Sequence, residues 1–145
     1  MGEIPKMEII DQNKLEHLFS QYPVIVAYLY GSVARNESGP LSDVDMAILL
    51  EDTLSKQERF DLRLRLTVEL ASRLKMSQVD LIVLNDAPVY LQFEVIKANQ
   101  VLYCRDEIAR IRYEAKTMSF YLDRKYYDER HSQILLEQII SEGLR

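Results

Sequence analysis

Apolar residues arrive in short blocks along this chain, and the spacing within each block says which kind of element it forms. Val24-Ile25-Val26-Ala27-Tyr28-Leu29-Tyr30 is β-branched and aromatic, short, and closed by Gly31, the pattern of a buried strand that ends in a tight turn. Leu41 to Leu50 alternates instead. Its period of two sends Asp43 and Asp45 to one face and Val44, Met46, Ile48 and Leu50 to the other. Val79 to Leu84 is a third apolar run with one charge in it, Asp80, and a short strand is expected at residues 101–103.

Helical spacing fills the intervals. Ile10, Leu15, Leu18 and Phe19 predict an amphipathic helix over residues 7–20, and a short helix is expected after Gly31, followed by a loop from Asn36 to Ser42. Ser55-Lys56-Gln57-Glu58 has the form of a capping box and opens a helix to about Lys75. Phe60, Leu64, Thr67, Ala71 and Leu74 lie on one face of it, with Leu62, Leu66 and Leu70 beside them, so that it covers the sheet. Asp86, two residues before Pro88, is expected to cap a helix running from about Pro88 to Ala98. From Arg105 to about Glu142 there is no proline or glycine, and Ile108, Ile111, Ala115, Met118, Leu122, Ile134, Leu135 and Ile139 recur at roughly helical spacing. One or two long helices are expected there. Together the elements predict an α/β (α+β) fold, a mixed sheet of about four strands flanked by helices with a long C-terminal helical segment, in a single domain over residues 1–145.

Composition narrows the class. With 145 residues, 48% of them hydrophobic, the chain has enough apolar material for one compact core. Its net charge of −5 argues against strong nonspecific binding to DNA or RNA, which needs a basic surface, and so disfavours a template-directed polymerase. The amino terminus lacks a basic region followed by a long apolar run, and no segment is long and apolar enough for a membrane span, so a cytoplasmic protein is expected. Cys104, the single cysteine, reads as a small apolar strand residue, and His17 and His131 have no metal-ligand spacing. Zinc is not indicated.

The chemistry is carried by Gly31-Ser32 and by Asp43-Val44-Asp45. A glycine directly after a strand lets the backbone approach a ligand, and a small hydroxyl residue opening a helical segment offers its oxygen and exposed N–H groups to a phosphate. Two carboxylates on one strand face repel each other unless a cation sits between them, and oxygen ligands in that number suit Mg²⁺ completed by substrate phosphates. Asp80 is the candidate third carboxylate, because a lone Asp in an apolar strand is not buried without a partner; a frayed strand start or an arginine partner is the alternative. Arg35, one turn beyond Ser32, either reaches phosphate oxygens or pairs with Glu37 or Glu51. Of the four tyrosines in the last third, Tyr113, Tyr121, Tyr126 and Tyr127, the same residue type suits an interface or packing on the chain's own sheet. The mixed charges from Arg124 to His131 read as a solvated helix face rather than a ribonuclease site.

The run GSVARNESGPLSDVD, residues 31–45, resembles the signature of the DNA polymerase beta-like nucleotidyltransferases, and the chain is similar in size to the minimal members, best known as antitoxins of HEPN/MNT toxin–antitoxin pairs. The likeness extends over about residues 24 to 104. It implies that Gly31 and Ser32 hold the triphosphate of ATP, and that Asp43, Asp45 and Asp80 bind two Mg²⁺ ions and carry catalysis. It further implies transfer of AMP to a tyrosine hydroxyl of a HEPN-type ribonuclease toxin, in a hetero-oligomer with that toxin. The stretch after Asp80 is too short for a separate substrate-binding domain, which favours a protein acceptor. Alternatives are a small-molecule nucleotidyltransferase of the aminoglycoside-modifying kind, a non-catalytic toxin-binding module, and a domain that senses ATP without transferring it.

Overall fold

A computed structural model describes residues 11–31, 44–74 and 79–143. The chain order is α1 (Gln12–Ser20), β1 (Val24–Tyr30), β2 (Val44–Leu50), α2 (Lys56–Arg73), β3 (Val79–Val83), a 3₁₀ turn (Leu84–Asp86), α3 (Val89–Ala98), β4 (Gln100–Cys104) and α4 (Glu107–Ser141). The four strands form one mixed sheet in the order β3-β2-β1-β4, with β1 antiparallel to both β2 and β4 and β2 parallel to β3. The mixed sheet flanked by helices and the long C-terminal helix are as the sequence predicts. The part of the first expected helix before residue 11, and the short helix and loop after Gly31, lie outside the described residues.

Strand alternation splits the core in two. Val44, Met46, Ile48 and Leu50 of β2 and Leu81 and Val83 of β3 join Leu15, Leu18 and Phe19 of α1 and Leu66 and Leu70 of α2 on one side. On the other side Val26, Tyr28, Ala47 and Leu49 pack with Val95 of α3 and Tyr113 of α4. Val24 pairs with Leu50 and Val26 with Leu49, so Ile25 is an extra residue in the ladder, and this bulge lets Ile25 and Val26 both pack towards the second side. Full burial of a side chain such as Phe19 or Leu70 contributes about 1.5–3 kcal/mol, which makes these two clusters the main source of stability.

Two sequence readings need correction here. The capping box at Ser55 and Glu58 is formed, both hydrogen bonds present, but the buried stripe of α2 is Leu66 and Leu70 with Leu62 and Leu74 packed beside them. Phe60 and Leu64, expected on the covering face, are each 50% exposed, and Ala71 is exposed as well. The helix carries two adjacent apolar stripes, and polar anchors choose between them: Arg63 Nε donates to the Leu81 carbonyl at 2.7 Å, and Arg59 Nη1 to the Leu54 carbonyl at 2.8 Å. Asp86 does not cap α3. The N-cap is Pro88, with no side-chain bond, and Asp86 accepts two bonds from Arg59 instead, at 2.6 and 3.0 Å. That guanidinium holds the Asp86 carboxyl below the usual carboxylate range. A pre-organised Arg fork competes well against a lone N-cap bond because it makes two charge-assisted bonds at once.

The joint between α4 and the sheet is polar. Tyr28, fully buried, donates its hydroxyl to Glu114 at 2.7 Å, and Arg110 holds the same carboxylate at 3.0 Å while also pairing with Glu107. Burial first, and then the Glu114 carboxylate, push the Tyr28 phenol far above its ordinary pKa. Cys104 ends β4 half-buried and outside any disulfide, its thiol pushed up mainly by burial and then by Glu107. Glu51, one of the partners considered for Arg35, pairs with Arg105 at 3.2 Å.

Candidate active site

The β2 register decides the geometry. Asp45 stands opposite Tyr30 on β1 and opposite Asp80 on β3, so the three residues share one row across the sheet. In-register neighbours on adjacent strands have Cβ atoms about 5 Å apart, which places the two carboxylates side by side on one face. It is the face that holds Tyr30, Ala47 and Ile82, while Met46 and Leu81, the next residues along, point to the opposite core. Asp45 is half-buried and Asp80 is exposed at the start of its strand. The short parallel pairing of β2 with β3 thus brings together two residues that lie far apart in the chain.

Gly31 closes the site from below. Its φ of +75° is a left-handed conformation that favours glycine, and a Cβ added there would lie 2.2 Å from Asp45 Oδ2. The carboxylate therefore rests directly against the glycine backbone, in space that any other side chain would take. Tyr30, the residue before it, is a site neighbour whose only signal in the sequence is its position beside the glycine. Burial, then the charges of Asp45 and Asp80, push its phenol up to about 12. The hydroxyl stays protonated beside two carboxylates throughout the neutral range.

Of the residues predicted for the site, Gly31, Asp45 and Asp80 are brought together. Ser32, Asp43 and Arg35 lie outside the described residues. Among the described residues no group of three or more His, Cys, Asp or Glu side chains converges to hold a metal, so the described donor set is the Asp45 and Asp80 pair. Such a pair fits a hard divalent cation. Mg²⁺ takes oxygen ligands, and one or two carboxylates plus substrate phosphates are its usual complement in phosphoryl chemistry. No described helix is long and apolar enough to cross a membrane.

The candidate site lies on a mixed sheet and combines a strand, a glycine turn and paired carboxylates. The sequence profile of the family described as Polymerase beta, Nucleotidyltransferase matches residues 13–108, and the chain belongs to that family. Comparison with curated proteins finds no match. Among solved structures, the chain is similar to one described as a toxin–antitoxin with AMP-PNP, at 28% identity and a TM-score of 0.59, covering 94% of this chain and 100% of that one. A second is the toxin–antitoxin MntA–HepT, with 28% identity, a TM-score of 0.55, and coverage of 92% and 97%. A third is described as a tri-AMPylated HEPN toxin in complex with MNT antitoxin from Shewanella oneidensis, with 26% identity, a TM-score of 0.54, and coverage of 98% and 100%.

Proposed function

We propose that this protein is the antitoxin of a HEPN/MNT pair, and that it transfers AMP from ATP to a tyrosine hydroxyl of its cognate HEPN toxin with Mg²⁺ as cofactor. The observation that carries the transfer reading is the Asp45–Asp80 row resting on Gly31. Asp45 and Asp80, with Asp43, would hold Mg²⁺. The metal supplies charge neutralisation at the α-phosphate and makes a hydroxyl a better nucleophile at neutral pH. The chain's own residues do the positioning. Gly31 leaves room for the Asp45 carboxylate, and Gly31 with Ser32 would seat the triphosphate so that pyrophosphate leaves on the side away from the acceptor. Asp80, the more exposed carboxylate, would meet the incoming hydroxyl and take its proton.

The need for a protein partner is supported by α4. Ile108, Ile111, Ala115, Met118 and Leu122 follow a three-four spacing along one helix face, and every one of them is exposed. The side of α4 that meets the body is a different one, marked by Tyr113, buried Thr117 and Tyr121, which stacks on Phe93 at 3.8 Å. An unpartnered apolar stripe with coiled-coil spacing suits a helix of another protein. The similarity to chains of MNT–HEPN complexes, one with AMP-PNP and one with an AMPylated toxin, supports the same partner class.

The test is intact-mass spectrometry of the toxin after mixing with this protein and Mg-ATP, read beside RNA cleavage. Adenylyl increments on the toxin that rise as cleavage falls are expected, and no turnover without the toxin. Full neutralisation by an Asp43→Ala, Asp45→Ala variant with no mass added would replace the enzymatic reading by a binding module.

A further inference from the structure

A second cavity lies at the other end of the same sheet face. It is a cleft of about 860 Å³ between the first half of α4, the start of α3, the end of β2 and the start of α2, lined by none of Gly31, Asp45 and Asp80. Leu49 and Leu50 are at its edge, so it is separated from Asp45 by most of the length of β2, about 13–16 Å at strand rise. Its charge runs against that of the chain. Four cations, Arg59, Arg112, Lys116 and Arg124, line it with one carboxylate, Asp52, in a protein of net charge −5. Arg59 is committed to Asp86 and Arg124 reaches Asp128 at 3.5 Å, but among the described residues neither Arg112 nor Lys116 is in an ion pair. Both are exposed, one turn apart on the helix face that looks into the cleft.

We propose that this cleft is a second nucleotide site, one that binds a nucleoside polyphosphate without metal. The free donors here are guanidinium and ammonium groups, which call for an anion, and the floor of Ile25, Leu49, Val89 and Phe120 calls for an apolar body. Phe120 is 56% exposed and Lys116 Nζ lies over one face of its ring, 5.7 Å from the centroid, so an aromatic ring for a base and a cation for a phosphate stand within one ligand's span. The neutral polar groups are spent. Asn85 exchanges both a donor and an acceptor bond with the Leu50 backbone, and Gln92 is held by the Ala87 carbonyl and the Tyr113 hydroxyl. A peptide backbone would find few partners on those side chains, whereas a base and phosphates need stacking and charge. Binding there would brace α4 against α2, from a site independent of the transfer reading.

Chelation separates the two sites. Calorimetric titration of the full chain with ADP in excess EDTA is expected to show one binding event that persists within about twofold in Asp45→Asn, Asp80→Asn. The same event should weaken at least about tenfold in Arg112→Ala, Lys116→Ala, the loss expected for removing two charge-assisted contacts. Both substituted positions are exposed, so the fold is retained, and Lys116→Glu alone gives a second reading in the same direction. Absence of ADP binding in EDTA, or an affinity untouched by the Arg112 and Lys116 changes, overturns the proposal. Tighter binding of a polyglutamate peptide or of a single-stranded RNA oligomer than of ADP overturns it too, by assigning the cations to a different ligand.

Discussion

Replacing Gly31 by alanine tests whether the glycine turn positions the Asp45 carboxylate or merely ends a strand. The new Cβ would sit 2.2 Å from Asp45 Oδ2 and 3.1 Å from its Cγ, the first far inside van der Waals contact. An alanine at φ +75° also costs about 1–2 kcal/mol of backbone strain. What must give way is the far end of a side chain with rotamer freedom, so the protein should still fold, with a urea-unfolding loss of about that size. The larger effect falls on chemistry. Moving a metal-binding oxygen by about 1 Å is enough to lower a rate on the order of a hundredfold, so AMP transfer followed by mass spectrometry should fall at least that far while circular dichroism stays parental. In an Asp45→Asn background the same glycine change should cost little further transfer, because the group that it displaces is already disabled. Parental transfer by Gly31→Ala, or equal and independent losses in the double variant, would refute the reasoning.

Asp80→Asn should leave Mg-ATP affinity within a few-fold yet lower transfer by orders of magnitude, and thermal melting should be unchanged or higher because a repulsion with Asp45 is gone; equal losses in calorimetric affinity and rate would give Asp80 a ground-state role. Tyr28→Phe leaves Glu114 with Arg110 but without its buried hydroxyl donor, and a loss of about 1–3 kcal/mol in urea unfolding is expected. Tyr113, raised to about 12 chiefly by burial, contributes stability that is fully present below the free tyrosine pKa near 10 and is lost as pH rises to about 12; Tyr113→Phe should make that limb of the unfolding profile shallower, with the raised Tyr28 and Tyr30 phenols keeping the rest of it. Leu122→Glu on the exposed stripe should weaken toxin capture in a pull-down at least tenfold with ATP binding intact, since Leu122 is 54% exposed and a charge there disturbs no core.

Periodicity made the sheet legible because each strand announces itself locally. Val24–Tyr30 is continuous and β-branched, and the alternation around Asp45 separates a core side from a site side, so β1 and the end of β2 fall where expected, and β3 and β4 within a residue. The pairing of Asp45 with Asp80 had a weaker local warrant, a single charge in an apolar run, and became geometry only through the parallel register of β2 and β3. Rotation of α2 was not legible. Two apolar stripes lie side by side on it, and long-range bonds from Arg63 to the Leu81 carbonyl and from Arg59 to the Asp86 carboxylate select one of them. Asp86 misled for the same reason, since its partner is 27 residues away.

The tyrosines of α4 show how far composition alone can divide interface from core. Tyr113 and Tyr121 are held by their own chain, through Gln92 and Phe93, and Tyr126 and Tyr127 are 67% and 65% exposed. The helix spans 35 residues, about 52 Å, and every residue from 122 to 141 is exposed, including Leu135, Leu136 and Ile140. An isolated helical stretch of that length gains little from propensity, and its apolar side chains gain nothing from facing water. Under the proposed pairing, the periodicity of Ile108, Ile111, Met118 and Leu122 would mark a surface that the partner buries. In that pairing, stabilisation of the helix and recognition of a helical partner would be one event, which ties the apolar stripe on α4 to the carboxylate row on the sheet in one functional reading.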